Sequence, residues 1–391
     1  MYDVIVCGAG PAGSVAATVL ARGGARVLLV DRARFPRDKL CGDTINPGTL
    51  AELDRLGVSA DVRRRGLRVD GMTVTGELGR GAVVIHGRYP HGLCGRALLR
   101  RDLDAILVGH AVDAGAQFEP CLAVRSAIVD CARARTAVVG LEAGESRTPI
   151  RIDALITIAA DGRRSAIGFG LGVARHPERP RRWAIGAYFD GVAAPSGPAF
   201  GEMHIRSERY VGVATVPGGL TNVCLVRPSY GGDDGLRDPA ALLISTVAGD
   251  PALADRFASA HLVAPPVVLG PLAIDTAAPD LDGLLFAGDA AGFIDPMTGD
   301  GLRFAIRGGV LAAEAALQAL AHGWHGVHRG LASARRREFA GKQRFNRTLR
   351  SLVASPLAVA AASIGARLAP PILRAVIARA GDCDLAVGDR R

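Results

Sequence analysis

The 391-residue chain is predicted to fold as an α/β protein: a doubly wound domain, a second domain built on an antiparallel sheet, and a helical C-terminal tail. Three observations carry that expectation. The first 31 residues read as strand, glycine turn, helix and strand, the opening of a parallel sheet. Two later apolar stretches, 154–160 and 283–287, each run into a turn rich in Asp and Gly. Residues 71–90 and 180–228 instead read as short strands broken by glycine and proline.

Taken in order, Val4-Ile5-Val6 is the first strand, and the spacing from Ser14 to Arg22 is helical. Arg26 to Asp31 is a buried parallel strand ending in an acid. A loop runs through Asn46-Pro47, and a short helix follows from Thr49 to Leu56, stopped at Gly57. Residues 71–90 form a hairpin, and Arg100 to Ala114 is a long helix ended by Gly115. Residues 122–160 make a meander, and 180–228 a second set of strands. A helix spans about Leu302 to Leu320, and the tail is helical. The doubly wound domain is therefore assembled from 1–70, 98–175 and 270–330, the second domain from 71–97 and 176–269, and the tail from 331–391.

Composition narrows the class. Hydrophobic residues are 49% and charged residues 22%, which is globular and excludes a disordered chain. No run of 18 uninterrupted apolar residues occurs, and the N-terminus shows no basic leader. Seven cysteines without C-x-x-C spacing signal neither a disulfide framework nor a zinc site, so a cytoplasmic protein with reduced thiols is expected. The net charge of +9 is concentrated: 331–391 holds 12 basic and 4 acidic residues, which is +8. The nearly neutral body speaks against a nucleic-acid partner.

Gly8-Ala9-Gly10-Pro11-Ala12-Gly13 follows a strand and opens a helix, and Asp31 comes 18 residues after Gly13. Gly8 permits the tight turn, Gly10 lets a pyrophosphate approach the backbone, and Gly13 lets helix and strand pack closely. The helix N-terminus offers free N–H groups to the phosphates, and Asp31 is placed to accept from ribose hydroxyls. A bare turn without ligand is the competing reading. Two further motifs follow strands: Ala159-Ala160-Asp161-Gly162-Arg163-Arg164-Ser165, and Ala287-Gly288-Asp289-Ala290-Ala291-Gly292 leading through Asp295-Pro296 and Gly299-Asp300-Gly301 into a helix. Asp289 can bind a polyol hydroxyl or merely cap a helix.

In this order and at these distances the three segments resemble the flavoprotein family of para-hydroxybenzoate hydroxylase fold, over roughly residues 1–330. That family includes aromatic hydroxylases, geranylgeranyl reductases and flavin-dependent halogenases. The resemblance implies a Rossmann-like FAD domain, with FAD held by Gly8, Gly10, Ala12, Gly13, Asp31, Arg32, Asp161, Gly162, Gly288, Asp289, Pro296, Gly299 and Gly301. It also implies an FAD-contacting arginine at the start of the long helix, Arg100 with Arg101 as fallback; an exposed salt-bridging arginine is the alternative. NAD(P)H is the expected electron donor, although Gly168 stands where the family's middle motif has a further arginine.

Phe35-Pro36-Arg37-Asp38-Lys39-Leu40-Cys41-Gly42-Asp43, continuing to Asn46-Pro47, resembles the geranylgeranyl reductase branch. There the cysteine loop lies beside the flavin, which implies Cys41 and Gly42 as ring neighbours. Cys41 is the candidate catalytic residue, with an inert cysteine as the alternative. The halogenase W-x-W-x-I-P segment is missing, and no lysine lies between 40 and 341. The prenyl reductases' Y-x-W-x-F-P strand reads Gly212-Val213-Ala214-Thr215-Val216-Pro217 here, which implies a wider aliphatic pocket. Glu202 and His204 are either acid–base groups or solvated strand residues.

The expected activity is FAD-dependent redox chemistry on a hydrophobic isoprenoid, quinone or polyketide, by reduction of a carbon–carbon double bond. Its rivals are NAD(P)H- and O2-dependent hydroxylation of a phenolic or polyketide ring, and flavin binding without turnover. In the tail, Arg335, Arg336, Arg337, Lys342, Arg344, Arg347 and Arg350 form a basic segment beside an apolar face of Phe345, Leu349, Leu352 and Val353. Residues 335–391 are thus expected to contact an anionic membrane, to cover an apolar substrate entrance, or simply to pack on the FAD domain.

Overall fold

The computed structural model describes residues 1–388 except 79–80, 133–134, 180, 196, 198–199, 230–235, 278–280, 294–296, 298, 354, 356–357, 359–360, 362–363 and 366–368. Its first sheet has the strand Tyr2–Cys7 at the centre, parallel to Val27–Val30 on one side and to Thr148–Ala159 on the other. Gln117–Glu119 and Leu284–Phe286 extend the parallel part. The strands Ala137–Glu145 and Val124–Asp130 continue it as an antiparallel meander.

One face of this sheet packs Val4, Val6, Leu29, Ile156 and Ile158 against three helices, Pro11–Arg22, Arg100–Asp113 and Gly301–His322. Alanines on the first and third of these helices let them approach closely. At their crossing a Cβ on Gly309 would lie 2.3 Å from the Ala12 carbonyl oxygen, so only glycine fits. The other face packs Ile5, Cys7, Leu28 and Val30 against the meander and the short helix Ala166–Gly170. By length and composition Gly301–His322 could cross a membrane. It is instead a core helix: twelve of its residues are buried, and Arg303 and Arg307 both pair with Glu338.

The second sheet runs in the order 261–262, 182–190, 221–228, 209–215, 201–206, 71–78 and 81–88. It is antiparallel except where 201–206 pairs with 71–78. Strand alternation divides its side chains. Val211, Val213, Val223 and Leu225 point to a back face covered by the helix Pro239–Ala248. Tyr210, Cys224 and Val226 point forward, toward the first domain.

Two local expectations shift. The helix expected from Thr49 spans Pro47–Arg55, because the Asn46 side chain accepts from the Thr49 N–H at 2.8 Å and Pro47 is preset for the first turn. Helices Ser59–Arg65 and Pro239–Ala248 went unread; the first is a single short arginine-rich segment with weak periodicity.

The tail is integral to the fold. Helix Val327–Val353 turns Arg335, Glu338, Phe339, Lys342 and Asn346 inward and leaves Arg336, Arg337, Arg344 and Arg347 exposed. The basic segment is therefore split: Arg335 donates to the Ala291 carbonyl, and burial lowers its pKa. On the apolar face Phe345 and Leu349 are partly buried, Leu352 is 40% exposed, and the Val353 side chain lies outside the described residues. Lys342 is 1% exposed, 3.0 Å from Asp300 and 3.1 Å from Asp382. It also donates to the Ala380 carbonyl, while Asn46 and Asn346 donate to Asp300. This cluster ties helices Val327–Val353 and Pro370–Ala380 to the residue that opens Gly301–His322. Replacing Lys342 by Met leaves two buried carboxylates without their counter-charge. It should cost about 3–5 kcal/mol of stability in urea unfolding. An unchanged unfolding midpoint would contradict an integral tail.

Candidate active site

A cavity of about 270 Å³ lies where the parallel strands end and the front face of the second sheet begins. The three glycine motifs build one side of it. Gly8 has φ +100°, and a Cβ there would sit 2.5 Å from the Ala160 carbonyl oxygen. A Cβ on Gly13 would lie 1.8 Å from the Gly8 carbonyl oxygen. Both glycines are therefore demanded by the protein's own packing. Gly10 is different: it lines the cavity, and the nearest atom to an added Cβ is an Arg37 nitrogen at 3.6 Å. Nothing in the fold requires glycine there, so the room is for an occupant. The first-turn N–H groups beside it have no helical partner. That donor set, on an open glycine edge, fits a pyrophosphate.

Asp31 accepts from the Ala9 N–H at 2.8 Å with one carboxylate oxygen and from the Ala33 N–H at 2.9 Å with the other. It braces the turn, and each oxygen keeps a second lone pair for a ribose hydroxyl. Arg37, which the motif reading passed over, lies 3.3 Å from Asp104 and 3.9 Å from Asp31. Arg32 is exposed and does not line the cavity. In the second motif Gly162 and Arg163 line the wall, and Asp161 stands behind them, accepting from the Ala166 N–H at 2.8 Å. In the third, Gly288, Asp289, Gly299 and Gly301 all reach the cavity, while Pro296 lies outside the described residues. Burial raises the Asp289 pKa, opposed by the charges of Lys39, Arg100 and Arg163. A polyol hydroxyl suits such a carboxyl, because it can be bound in either charge state.

Arg100 is not the exposed arginine of the alternative reading. It is 6% exposed, holds Asp104 through a fork of bonds at 2.9–3.0 Å, and lines the cavity. Burial pulls its pKa down, but Asp104 and then Cys41 outweigh that and hold it above the ordinary value. Arg101 instead faces Asp38 at 3.7 Å on the surface. Cys41 and Gly42 both line the cavity, on a loop that also brings Lys39, Leu40 and Thr44 to the wall. The cavity thus brings together Gly10, Ala12, Cys41, Gly42, Arg100, Gly162, Gly288, Asp289, Gly299 and Gly301. Gly8, Gly13, Asp31 and Asp161 support it from behind.

The opposite wall is apolar: Ala184, Met203, Tyr210, Cys224, Val226, Leu269, Leu272, Phe293 and Met297. Leu349 from the tail helix packs against this cluster. The expected aliphatic pocket strand, 212–217, does not itself line this cavity; the lining comes from its neighbours Met203, Tyr210, Cys224 and Val226. A side chamber of about 60 Å³ opens past Thr44 toward Val213, Ala214 and Glu202. Glu202 and His204 are not solvated strand residues. His204 is 1% exposed, bonds Glu202 at 3.0 Å, and is tied through Thr75 to Arg206 and Asp250. Burial raises the Glu202 pKa, but the bonds from His204 and Arg256 prevail and hold it below the usual value. Glu202 is thus a fixed anion.

Residues 1–237 match the family model described as "FAD binding domain". The chain is 31% identical over 330 residues to digeranylgeranylglycerophospholipid reductase 1 of Methanopyrus kandleri, covering 82% of this chain and 81% of the relative. It is 29% identical over 334 residues to the menaquinone reductase of Mycolicibacterium smegmatis, covering 80% and 75%. Among solved structures, a geranylgeranyl bacteriochlorophyll reductase-like protein from Thermoplasma acidophilum aligns with a TM-score of 0.76 at 22% identity, covering 92% and 89%. A flavin-dependent brominase aligns with a TM-score of 0.80 at 20% identity, covering 98% and 94%, and at that identity shares the fold alone. With three motifs around one cavity and a family match over more than half its length, the chain belongs to the FAD-binding-domain family, as an FAD-dependent oxidoreductase of para-hydroxybenzoate hydroxylase fold resembling the geranylgeranyl reductases.

Proposed function

We propose that the protein reduces a carbon–carbon double bond in the isoprenoid chain of a lipid or quinone, drawing electrons from NAD(P)H through FAD. The observation that carries this reading is the apolar wall facing the flavin motifs. Each methylene buried against Met203, Val226, Leu269 and Leu272 contributes about 0.8 kcal/mol. Such a wall binds a long alkenyl chain without asking it for polar groups. The relatives' names, a digeranylgeranylglycerophospholipid reductase and a menaquinone reductase, support the same substrate class.

Bound FAD supplies the hydride. The protein's part is to bind and orient. Gly10 and the first turn of Pro11–Arg22 would hold the pyrophosphate, Asp31 the ribose, and Asp289 the ribityl chain. The N-terminal end of Gly301–His322, with Gly299 and Gly301 at the cavity, offers partial positive charge to an anionic reduced ring. Cys41 is a small polarizable group in the wall, against the Arg100 guanidinium. The apolar face excludes water from the reacting carbons.

The exposed Arg336, Arg337, Arg344 and Arg347, with Leu352, Ile364 and Ile372 exposed further along, support a peripheral contact with an anionic membrane, where such a substrate resides. Each basic residue near anionic lipid contributes about 1 kcal/mol. Arg335 and Lys342 face inward and take no part in it.

Three outcomes follow. Gly10→Val should keep the fold but purify without FAD, because the side chain fills the phosphate cradle without touching backbone; full flavin retention would refute that placement. Anaerobically reduced protein mixed with an alkenyl lipid, or with an alkenyl quinone whose head group is re-oxidised in air before mass analysis, should reoxidise without O2 and leave a chain two hydrogen atoms heavier. Reoxidation only with O2, with oxygen entering the product, would instead mark a hydroxylase. Glutamate at positions 336, 337, 344 and 347 should abolish sedimentation with anionic vesicles, whereas equal sedimentation of wild type and variant would rule out this contact.

A further inference from the structure

Asp300 opens the helix Gly301–His322 and stands between Gly299 and Gly301, both of which line the cavity. An acid in this place ordinarily caps its helix. Its carboxylate accepts from the first-turn N–H groups, which have no partner within the helix. The chain uses that cap elsewhere. Asn46, Ser165 and Asp238 each open a helix, and each accepts from the N–H three residues on, at 2.8, 2.8 and 2.9 Å. Asp300 does not. Its backbone is already helical, with φ −80° and ψ −3°, and its side chain makes no bond to the turn it opens.

Three donors hold the carboxylate elsewhere. Lys342 lies 3.0 Å from one oxygen, Asn46 donates to that oxygen at 3.3 Å, and Asn346 donates to the other at 3.0 Å. All of this is sealed from solvent: Asp300 is 0%, Lys342 1% and Asn346 5% exposed. Lys342 and Asn346 stand one turn apart on a single face of Val327–Val353. Lys342 is itself anchored by Asp382 and by the Ala380 carbonyl. The side chain that would close the helix end is thus drawn away from it by the tail.

We propose that Asn346 and Lys342 are positioning residues for the flavin: they withhold Asp300 from its own helix, and so keep the first-turn N–H groups available to the ring. The proposal rests on the ring lying at the Gly299–Gly301 end of the cavity. The bare turn offers donors and partial positive charge to a reduced ring, which is an anion. A carboxylate seated on the turn would take those donors and set a full negative charge beside the ring. Held as it is, Asp300 has its charge covered by Lys342. Release of Asp300 would therefore make the bound flavin harder to reduce.

The test reads the reduction potential of the full-length FAD-loaded protein, equilibrated anaerobically with an indicator dye. No substrate is used, so the outcome is independent of the reaction the protein catalyses. Asp300→Ala removes the anion and should give a potential above that of the wild type. Asn346→Leu, or Asn346→Ala should the first fail to fold, frees one carboxylate oxygen to turn onto the helix, and the potential should fall. Loss of one charged hydrogen bond to the ring shifts the equilibrium about tenfold, about 30 mV for a two-electron couple. Added to Asp300→Ala, Asn346→Leu should change nothing further, because no carboxylate is left to swing in. The same fall in both backgrounds, or no fall in a folded, FAD-retaining Asn346 variant, would overturn the positioning role while leaving the ring's placement intact. An unmoved potential in Asp300→Ala would overturn both together.

Discussion

No side chain fits between the end of the first strand and the helix that follows it, and the rest of the molecule is arranged around that contact. Gly13 approaches the Gly8 carbonyl so closely that an added methyl group would overlap it, and Gly8 approaches Ala160 on the neighbouring strand in the same way. This brings the start of the helix Pro11–Arg22 down onto the sheet. The helix in turn fixes Gly301–His322 through the Ala12–Gly309 crossing. The phosphate end and the ring end of the cavity are thus set by one chain of backbone contacts, with no adjustable side chain in between.

The opposite wall is positioned by different physics. Charged groups buried in pairs hold it, Glu202 with Arg256 and Arg206 with Asp250, and the same device recurs on the flavin side in Arg100 with Asp104 and in Lys342 with Asp300 and Asp382. Buried pairs add little net stability over an apolar core, but they are intolerant of misalignment, since a lost partner leaves a desolvated charge. The tail belongs to this group of contacts. Lys342 reaches Asp300 at the start of Gly301–His322, so the C-terminal helices brace the same segment that lines the cavity with Gly299 and Gly301.

Sequence reading reached what local backbone chemistry determines. Gly8, Gly13 and Asp31 have spacing that only one turn satisfies, and the apolar stretches at 154–160 and 283–287 read as the parallel strands they are. It stopped where partners are far apart in the chain. Lys342 looked like one cation in a basic run, because nothing local announces that Asp300 and Asp382 converge on it. His204 and Glu202 looked like ordinary strand residues, because Arg256 arrives from a separate helix. Asp43 attracted no notice beside Cys41, since the Tyr188 and Asn222 that donate to it come from the second sheet. The resemblance implied an aliphatic pocket on the second sheet at 212–217, but Val213 and Ala214 border the side chamber, and the cavity wall is made by Met203, Tyr210, Cys224 and Val226 instead.

The central claim is that a single cavity holds the flavin against the glycine motifs and presents its ring to the apolar sheet. A crystal structure of the protein loaded with FAD tests this most directly. The account predicts the pyrophosphate at Gly10 and the helix start, and the ring between the Cys41–Thr44 loop and Gly299, with one face toward Met203 and Cys224. A ring turned out of the cavity, leaving Met203 and Cys224 unopposed, would contradict it.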